Sequence, residues 1–450
     1  MKTKIVCTLG PATASYEAIE NLMVQGMDVA RLNFSHGDHK FHSQMVEWIR
    51  KAASKLNKTV AILQDLQGPK IRVGRIAPRQ LVKDQIVRIV YGLEDQSPEL
   101  PVDYKPLHEI KVGQRILLDD GLIAMEVITA EPHFLEAKVT MPGTITSRKG
   151  VNFPESQLSI PAMTEKDIQD VIFGVTLKLD FVALSFVRLA SDIQELRTLL
   201  DSLNSKPQIV SKIEMLKAMD NLDEICEHSD AIMVARGDLG VECGFPLVAP
   251  FQKRIVDVAR AHGKPVIMAT QMMESMRDAL IPTQAEIADI THAVTLECDA
   301  TMLSAESASG KYPGESVQTM RKILDLAQGT FLKENSVQRS SESSFTSAAI
   351  HLAEDIKASA FITLDEHNAL PYLLAYQRPS LPIYALCDTK EWERKFCLVK
   401  GVIPLSYTNQ DQSTNSVSHH LKTLGHLKSG DKVVILSHHS AQNMSVHYVA

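Results

Sequence analysis

The 450-residue sequence lacks the short motifs of the commonest nucleotide and metal enzymes. No GxxxxGKS/T segment is present, since Gly263-Lys264 is followed by proline and Gly310-Lys311 by tyrosine. Neither a Rossmann GxGxxG nor an HExxH segment occurs. These absences exclude a P-loop, the usual dinucleotide fingerprint and an HExxH zinc site, so any nucleotide binds in another way.

Paired cysteines, excess basic charge and long apolar runs are also missing. The six cysteines form no CxxC pair, which argues against a zinc site or a disulfide framework and fits a reducing compartment. The net charge of −7 argues against general binding to nucleic acid or to anionic membranes. No apolar run reaches the roughly 18 residues of a membrane-spanning helix. We therefore expect a cytoplasmic protein with neither a nucleic-acid nor a membrane partner.

Short apolar runs alternate with helix-length amphipathic segments along much of the chain. Near-continuous apolar strands that alternate with helices are typical of a parallel sheet covered by helices. Eight such units predict an α/β fold of the closed (β/α)8, or TIM barrel, kind. The eight runs span 4–10, 28–34, 59–65, 179–185, 207–212, 230–237, 264–270 and 299–304.

One connection interrupts this alternation. Residues 70–160 are rich in β-type runs and turns, and an insertion of about 90 residues is too long for a barrel loop. We expect an inserted small β-barrel lid domain here, with the barrel spanning 1–69 and 161–333. Its position after the third strand places it over the C-terminal face of the barrel, where it could close over a site.

A third unit follows a Ser-rich stretch at 336–344, which we interpret as a linker. Residues 334–450 resume the alternation of helices and strands and predict a C-terminal α/β domain. The expected helix lies near 346–356, and the expected strands span 359–365, 381–387, 401–406 and 431–437.

Polar residues are concentrated where the predicted barrel strands end. Barrel enzymes carry their active sites at this C-terminal rim, so the concentration predicts an active site there. The residues concerned are Thr8, Gly10, Arg31, Asn33, Ser35, Asp65, Arg72, Ser185, Arg188, Lys212, Glu214, Arg236, Gly237, Asp238, Thr270, Gln271, Ser304 and Glu306.

Two carboxylates and three cations of this rim indicate its chemistry. Glu214 and Asp238 end adjacent strands and offer the hard oxygen ligands that Mg²⁺ prefers. Arg31, Arg72 and Lys212 would neutralise a phosphoryl group as it moves between two oxygens. These residues predict phosphoryl or enolate chemistry on a small anionic substrate.

Other interpretations remain open at this point. A single strand-end lysine or glutamate is usually a solvated charge. A Schiff-base aldolase would need Lys212 with a lowered pKa, whereas the neighbouring carboxylates would raise that pKa. His36, His39 and His42 resemble metal ligands, but their spacing turns them progressively round a helix and disfavours zinc.

Several long motifs, in order along the chain, resemble the pyruvate kinase family from residue 1 to the end. They include TKIVCTLGPAT, GMDVARLNFSHGDH, LQDLQGPKIR, KGVNFP, LSIPAMTEKDIQD, SKIE, IMVARGDLGVE, GKPVIMATQMMESM, PTQAEIADI and MLSAESASGKYP. The resemblance implies a glycolytic enzyme that transfers the phosphoryl group of phosphoenolpyruvate to ADP, giving pyruvate and ATP.

The resemblance also implies roles for particular residues. Glu214 and Asp238 would hold Mg²⁺ or Mn²⁺, and Lys212 and Arg31 would stabilise the transferring phosphoryl group. Backbone N–H groups near Gly237 and Asp238 would bind the substrate carboxylate together with Thr270, which would also take part in protonating the enolpyruvate carbon. The implied nucleotide side comprises Pro11, Asn33, His36, Arg72 and Lys149, of which Arg72 also counts as catalytic.

Two departures from the family pattern concern a potassium ion. Most members hold K⁺ beside the substrate phosphate, and Asn33, Ser35 and Asp65 match three of its ligands. Leu66 stands where the family usually has threonine, and Lys70 where it usually has glutamate. The resemblance is therefore to the potassium-independent, bacterial-type short-chain subgroup, in which the tethered cation of Lys70 replaces the ion.

Regulation and assembly are implied less directly. Asp365 and Glu366 stand where sugar-phosphate-activated members carry a phosphate-binding loop, so we expect no activation by fructose 1,6-bisphosphate through it. The family habit implies a homotetramer. The alternative function is a catalytically degenerate regulatory relative, which should have lost Lys212 or a metal carboxylate; this chain keeps all three.

Overall fold

The structure, a computed structural model, describes residues 2–331, 344–365, 369–407, 414–438 and 442–449. Most of the Ser-rich stretch and Glu366 lie outside the described residues. No helix within the described ranges combines the length and apolar character needed to cross a membrane.

The strands fall into three groups along the chain. Those before the insertion are β1 (Lys4–Leu9), β2 (Val29–Asn33) and β3 (Ala61–Asp65). The insertion contains β4 (Arg79–Leu81), β5 (Ile86–Tyr91), β6 (Leu100–Val102), β7 (Arg115–Leu118), β8 (Ile123–Glu131), β9 (Phe134–Met141), β10 (Gly143–Ile145) and β11 (Val151–Asn152). Then follow β12 (Phe181–Leu184), β13 (Gln208–Ile213), β14 (Ala231–Ala235), β15 (Val266–Ala269), β16 (Ala300–Leu303), β17 (Ala360–Asp365), β18 (Ile383–Cys387), β19 (Val402–Ser406), β20 (Lys432–His438) and β21 (Gln442–Tyr448).

Eight parallel strands, β1–β3 and β12–β16, close into the predicted barrel. Closure is completed by β1, which pairs with β16 through Ile5↔Thr301 and with β2 through Val6↔Val29. The strands are apolar on both faces because one face fills the barrel interior and the other packs against the helices. The eight predicted runs match these strands to within about two residues at most ends, which confirms the TIM-barrel prediction.

The helices of the barrel begin at recognisable sequence signals. Ser15 and Asp38 accept hydrogen bonds at the N-termini of the helices that begin at Tyr16 and His39, and Thr164 and Thr283 form capping boxes at those that begin at Glu165 and Gln284. The barrel helices are α1 (Tyr16–Gln25), α2 (His39–Lys55), α3 (Glu165–Thr176), α4 (Ala190–Ser202), α5 (Leu216–Asp220), α6 (Leu222–His228), α7 (Arg236–Cys243), α8 (Val248–Ala261), α9 (Gln284–Thr295), α10 (Ala305–Ala308) and α11 (Pro313–Phe331).

The insertion forms the lid domain from two sheets around one apolar core. Six strands pair in the order β11-β7-β8-β9-β5-β6, and β10 pairs with β4. Leu81 of β4 and Ile145 of β10 are buried in the same cluster as Ile116 and Val127 of the larger sheet. The insertion after the third barrel strand is therefore a β domain with its own core, as expected.

The chain enters the lid domain through a tight hinge at Gly68. Its backbone has a φ of +71°, a conformation that favours glycine. A Cβ atom at this position would come within 2.7 Å of the Phe186 ring and 2.8 Å of Ser185 Cβ. Position 68 is thus restricted to glycine both by its dihedral angle and by the end of the fourth barrel strand.

The C-terminal domain is an α/β layer around a five-stranded sheet. Its strands follow the order β19-β18-β17-β20-β21, and all pairs are parallel except β20 with β21. The antiparallel β21 is an addition that the alternation pattern did not predict. The helices of this domain are α12 (Ser344–Asp355), α13 (Leu370–Tyr376), α14 (Lys390–Lys395) and α15 (Thr414–Thr423).

Charged residues are buried where this domain meets the barrel. Arg378 donates to both carboxylate oxygens of Asp299, at 2.8 and 2.7 Å, and both side chains are almost fully buried. Lys400 is also fully buried, and its Nζ has no hydrogen-bond partner among the described residues. Burial and the nearby Arg378 lower the pKa of Lys400 to about 8. This joint therefore contains one well-paired cation and one that is poorly accommodated.

Candidate active site

The carboxyl ends of the barrel strands surround a cavity of about 710 Å³. Its walls combine a carboxylate-rich and cationic side with an apolar side. Lining residues include Thr8, Gly10, Pro11, Arg31, Asn33, His36, Asp65, Lys212, Glu214, Met233, Asp238, Thr270, Met302, Ser304 and Ser309. The structure thus brings together most of the residues that the strand ends predicted.

Asp65, at the end of β3, lies between two cations, Arg31 of the neighbouring β2 and Lys212 of β13, two strands away on the other side. Arg31 Nε donates to Asp65 Oδ2 at 2.6 Å, and Lys212 Nζ lies 3.3 Å from Asp65 Oδ1. Burial alone raises the pKa of Asp65, but the attraction of Arg31 and Lys212 outweighs it and the pKa is lowered. Asp65 therefore remains ionised and fixes both cations at the cavity wall.

Lys212 is held by three oxygen atoms. Its Nζ donates to Ser185 Oγ at 2.7 Å and lies 3.6 Å from Glu214 Oε2, in addition to the contact with Asp65. Burial lowers the pKa of Lys212, but the two carboxylates outweigh burial and the pKa is raised. An ammonium of raised pKa is a poor Schiff-base nucleophile, which argues against the aldolase alternative.

Glu214 combines a satisfied oxygen with an unsatisfied one. Its Oε1 accepts the backbone N–H of Phe186 at 2.7 Å, whereas its buried Oε2 has no hydrogen-bond partner within the described ranges. Burial is the main cause that raises the pKa of Glu214 to about 7, and the nearby Asp238 carboxylate adds to it. This oxygen has only the 3.6 Å ion-pair contact with Lys212. A buried carboxylate oxygen that accepts no hydrogen bond, beside a second carboxylate, fits the hard-oxygen coordination of a divalent cation.

The described residues contain no cluster of three or more His, Cys, Asp or Glu side chains with metal-binding geometry. Glu214 and Asp238 both line the cavity, so the protein offers two carboxylates and an open approach. Such a site suits a cation that completes its coordination with oxygens of a substrate and water, as Mg²⁺ commonly does. The three histidines His36, His39 and His42 form no such cluster.

Thr270 sits in a tight turn after β15. It has a φ of +66° and Gln271 a φ of +53°, which is uncommon for residues with a Cβ atom. The turn is held by Arg236, whose Nε donates to the Ala269 carbonyl at 3.1 Å. The Gly237 N–H donates to Thr270 Oγ1 at 2.9 Å. Gly237 and Thr270 thus lie in contact beside Asp238, and the Gly237 N–H is already engaged by Thr270.

The RGDLG segment is helical from its first residue. The sequence predicted an apolar strand-like run up to residue 237; instead β14 ends at Ala235 and α7 begins at Arg236. The buried contacts of Arg236 with the β15 turn draw the chain into the helix early. Asp238 therefore projects from the first turn of α7.

Lys70 lies against Asp238, one of the two carboxylates predicted to hold the metal. It does not lie beside the potassium-site residues that were predicted to surround it. Its Nζ donates to Asp238 Oδ1 at 3.1 Å and lies 3.7 Å from Asp120 Oδ1 of the lid domain. Within the described residues no hydrogen bond or ion pair joins it to Asn33, Ser35 or Asp65. Leu66 is fully buried in the main core and offers only its carbonyl, which accepts from Ser185 Oγ at 2.7 Å.

The predicted nucleotide residues divide into two groups. Pro11, Asn33 and His36 line the cavity, and the Asn33 side chain accepts the Ser35 N–H at 3.1 Å. Arg72 donates to the Arg148 carbonyl at 3.0 Å, and Lys149 pairs with Asp119 at 2.8 Å. Arg72 and Lys149 lie in the lid domain and are not among the residues lining the cavity.

Several supporting groups were missed by the sequence analysis. Ser185 was recognised only as a strand end, although the lysine on the neighbouring strand needs such an oxygen. The Phe186 N–H that holds Glu214 is a backbone group with a φ of +56°, and it leaves no signal in the sequence. Buried Glu242 of α7 carries the clearest signal that could have been used, because it is a second acid four residues after Asp238 in the same motif.

Together the closed barrel, the lid domain and the rim of cations and carboxylates define a barrel enzyme that handles an anionic substrate. Comparisons with known proteins make the class specific. A family model described as "Pyruvate kinase, barrel domain" matches residues 1–317, and one described as "Pyruvate kinase, alpha/beta domain" matches residues 343–446. The chain therefore belongs to the pyruvate kinase family and is an enzyme of that class.

Individual relatives agree over nearly the whole chain. A pyruvate kinase of Bacillus licheniformis is 39% identical over 96% of this chain and 77% of its own length. A pyruvate kinase of Corynebacterium glutamicum is 37% identical over 97% of this chain and 94% of its own length. The crystal structure of a pyruvate kinase from Cryptosporidium parvum superimposes with a TM-score of 0.94 at 32% identity, covering 100% and 96% of the two chains.

Proposed function

We propose that this enzyme transfers the phosphoryl group of phosphoenolpyruvate to ADP, giving pyruvate and ATP. The observation that carries the proposal is the arrangement around Lys212, a protonated buried ammonium held by Asp65, Ser185 and Glu214 beside Arg31. Two fixed cations at a cavity wall stabilise a phosphoryl group in transit and the enolate it leaves behind. The alternative function, a catalytically degenerate regulatory relative, is disfavoured because each of these side chains is present and is held in place by its neighbours.

Glu214 and Asp238 are the groups that would hold Mg²⁺ or Mn²⁺. The unsatisfied Glu214 Oε2 and the position of both carboxylates on the cavity support this assignment. A divalent cation there would supply charge neutralisation for the phosphoryl oxygens. Arg31 and Lys212 would bind and orient the phosphate, while Thr270 would hold the substrate carboxylate and stand at the protonated carbon.

Potassium independence rests on Leu66 and Lys70. Leu66 supplies no side-chain oxygen for a monovalent ion, and Lys70 places an ammonium 3.1 Å from Asp238. A cation tethered to the chain next to a metal carboxylate keeps positive charge at the site without an ion from solution. The contact with Asp238 moves the proposed role of Lys70 from the Asn33 side of the site to its metal side.

The lid domain completes the proposal on the nucleotide side. Pro11, Asn33 and His36 would contact the nucleotide from the barrel, and Arg72 and Lys149 would reach it from above when the lid domain closes and excludes water. We retain the division into 1–69 and 161–333, 70–160 and 334–450, together with a cytoplasmic homotetramer, as parts of the same proposal.

Fructose 1,6-bisphosphate is not expected to activate this enzyme through the loop after β17. Asp365 Oδ2 accepts the backbone N–H groups of Ala369 and Leu370, at 2.6 and 2.7 Å. A carboxylate thus already occupies the donors that begin α13, and its negative charge repels a phosphate.

A coupled assay with lactate dehydrogenase tests the reaction. Pyruvate should appear only when phosphoenolpyruvate, ADP and a divalent cation are all present, and at the same rate with and without K⁺. Absence of pyruvate release would refute the reaction, whereas a strict requirement for K⁺ would refute only the role given to Leu66 and Lys70.

A further inference from the structure

Glu242 is a buried carboxylate that the proposed reaction does not use. It lies on α7, four residues after Asp238, and is 1% exposed. Residues four apart lie on the same face of a helix, so Glu242 lies one turn away from Asp238, one of the two carboxylates proposed to hold the metal. A buried acid is retained only when it is well paired, so its partners show what it does.

One partner of Glu242 comes from the lid domain. Asn152, on β11, donates from Nδ2 to Glu242 Oε1 at 2.7 Å. Asn152 is itself 9% exposed, and β11 pairs with β7 through Asn152↔Leu117. The hydrogen bond therefore joins the main sheet of the lid domain to the helix that carries Asp238.

A second group that acts on Glu242 comes from the segment after Glu214, the other carboxylate proposed to hold the metal. The backbone N–H of Leu216, the first residue of α5, also acts on this carboxylate and favours its ionised form. Leu216 follows Glu214 by two residues. Burial raises the pKa of Glu242, and the hydrogen bonds from Asn152 and Leu216 oppose that rise. One carboxylate thus joins the Glu214 segment, the Asp238 helix and the lid domain.

We propose that Glu242 is a positioning residue that couples the lid domain to the metal site through Asn152. The inference rests on the proposed function, because it takes Glu214 and Asp238 as the metal carboxylates. Movement of β11 would pull on α7 and on the start of α5 together, so the separation of the two carboxylates depends on where the lid domain sits. The coupling acts through backbone segments, and Glu242 itself touches neither metal nor substrate.

Other contacts between the lid domain and the barrel do not replace this one. Arg188 donates to the carbonyls of Leu158 and Ile160 where the chain returns to the barrel, at 3.4 and 2.7 Å, and among the described residues no hydrogen bond or ion pair joins its side chain to α7. Lys70 contacts Asp238 directly, from the segment after Gly68 by which the chain enters the lid domain. Asn152 is therefore the residue of the lid-domain sheet that is linked, through the Glu242 side chain, to both the Glu214 segment and the helix that carries Asp238.

The test exchanges the donor and acceptor of this hydrogen bond. Asn152→Asp places two carboxylates opposite each other. Glu242→Gln leaves one acceptor oxygen where there were two, so an amide N–H₂ must face either Asn152 or Leu216. The double variant restores the pair in reverse, because the amide introduced on α7 can donate to the carboxylate introduced on β11 and still accept the Leu216 N–H. The readout is Mn²⁺ alone, titrated into the full chain without phosphoenolpyruvate or ADP and followed by electron paramagnetic resonance.

Each single variant should weaken Mn²⁺ binding about tenfold, the usual effect of disturbing groups that support metal ligands. The double variant should recover most of that loss. Hydrogen exchange of the 236–243 segment should rise in the single variants and return in the double. Ser156→Ala is the matched control, because it removes a hydrogen bond of the same 2.7 Å length that stays within the lid domain, to Gln114; it should change neither quantity.

Two results would overturn the inference: single variants that bind Mn²⁺ as the unaltered protein does, or a folded double variant that binds no better than the singles. If Glu242→Gln does not fold, Asn152→Ser carries the same comparison from the lid side and should weaken Mn²⁺ binding. Because no substrate is used, the outcome is independent of the reaction. Rescue by the double variant would support the coupling even if the coupled assay yielded no pyruvate.

Discussion

Asp65 and Lys212 lie 3.3 Å apart at the cavity wall, although they belong to β3 and β13, which are separated by β12 in the barrel. The carboxylate also holds Arg31, so one buried acid sets the position of both cations that face the cavity. Its ionised state is favoured by those cations, which lower the pKa of Asp65. The Asp65 carboxylate thus fixes the positions of the Arg31 and Lys212 cations at this wall.

Asp65→Asn should lower kcat by about 100-fold, the usual loss when a preorganised electrostatic group is removed from a phosphoryl-transfer site. The amide cannot attract Arg31 and Lys212 equally, so both cations lose their fixed positions. The coupled assay measures the loss. Asp84→Asn, which breaks an exposed ion pair with Lys138 in the lid domain, is the control and should leave kcat unchanged. Equal kcat values for the two variants would contradict the role of Asp65.

Combining Leu66→Thr with Lys70→Glu should make the enzyme dependent on potassium. The threonine restores an oxygen near Asp65, and the glutamate removes the ammonium beside Asp238, so positive charge must come from solution. Activity should then rise steeply with added KCl and not with tetramethylammonium chloride. Leu66→Thr alone, which keeps the lysine, should remain insensitive to K⁺; sensitivity in this single variant would show that Lys70 is not the substitute.

Lys400→Met should raise the free energy of unfolding at pH 7 by about 2 kcal/mol, because it replaces a buried ammonium, which has no hydrogen-bond partner in the part of the chain that the structure describes, by an apolar side chain of similar length. Urea denaturation measures the change. A variant less stable than the unaltered protein would mean that the ammonium is satisfied in solution by water or another group.

The same lysine predicts a pH dependence. Its pKa is lowered to about 8 in the folded protein from an ordinary value of 10.5. Between these values the unfolded chain binds more protons at this site than the folded protein does, so the contribution of Lys400 makes stability rise with pH. The rise should appear in denaturation curves taken between pH 8 and 10 and should be smaller in Lys400→Met. Parallel pH profiles for the two proteins would contradict the lowered pKa.

Arg378→Met should have the opposite effect from Lys400→Met, although the two side chains lie in the same joint. Removing Arg378 leaves the buried Asp299 carboxylate without its bidentate partner, and we expect a loss of about 3–5 kcal/mol in the free energy of unfolding. Lys253→Met, which breaks an exposed ion pair with Asp257, should change it by less than about 1 kcal/mol. Similar losses in the two variants would argue against a strong buried pair.

The sequence predicted the barrel well because the signal is repeated along the chain. Each strand is a continuous apolar run and each following helix is amphipathic, so eight units reinforce one another. The strand-end rule then located Arg31, Asp65, Lys212, Glu214 and Asp238 on one rim. Their convergence follows from topology, which requires no knowledge of side-chain conformation.

The contacts within the rim could not be predicted in the same way. Lys70 was expected beside Asn33 and Asp65, but the direction of a long flexible side chain depends on the hinge that carries it, and this one reaches Asp238. The Glu214 partner is a backbone N–H, which every residue except proline carries. The strand β21 adds an antiparallel edge without the helix that marked the others, so alternation gave no sign of it.

Phe186 joins two features that seem separate in the fold. Its ring closes against Gly68, where the chain leaves the barrel, and its backbone N–H holds Glu214. A side chain added at position 68 would displace the ring and with it the donor. The attachment of the lid domain and the support of Glu214 therefore share one residue, so a change at position 68 should also disturb a carboxylate proposed to hold the metal.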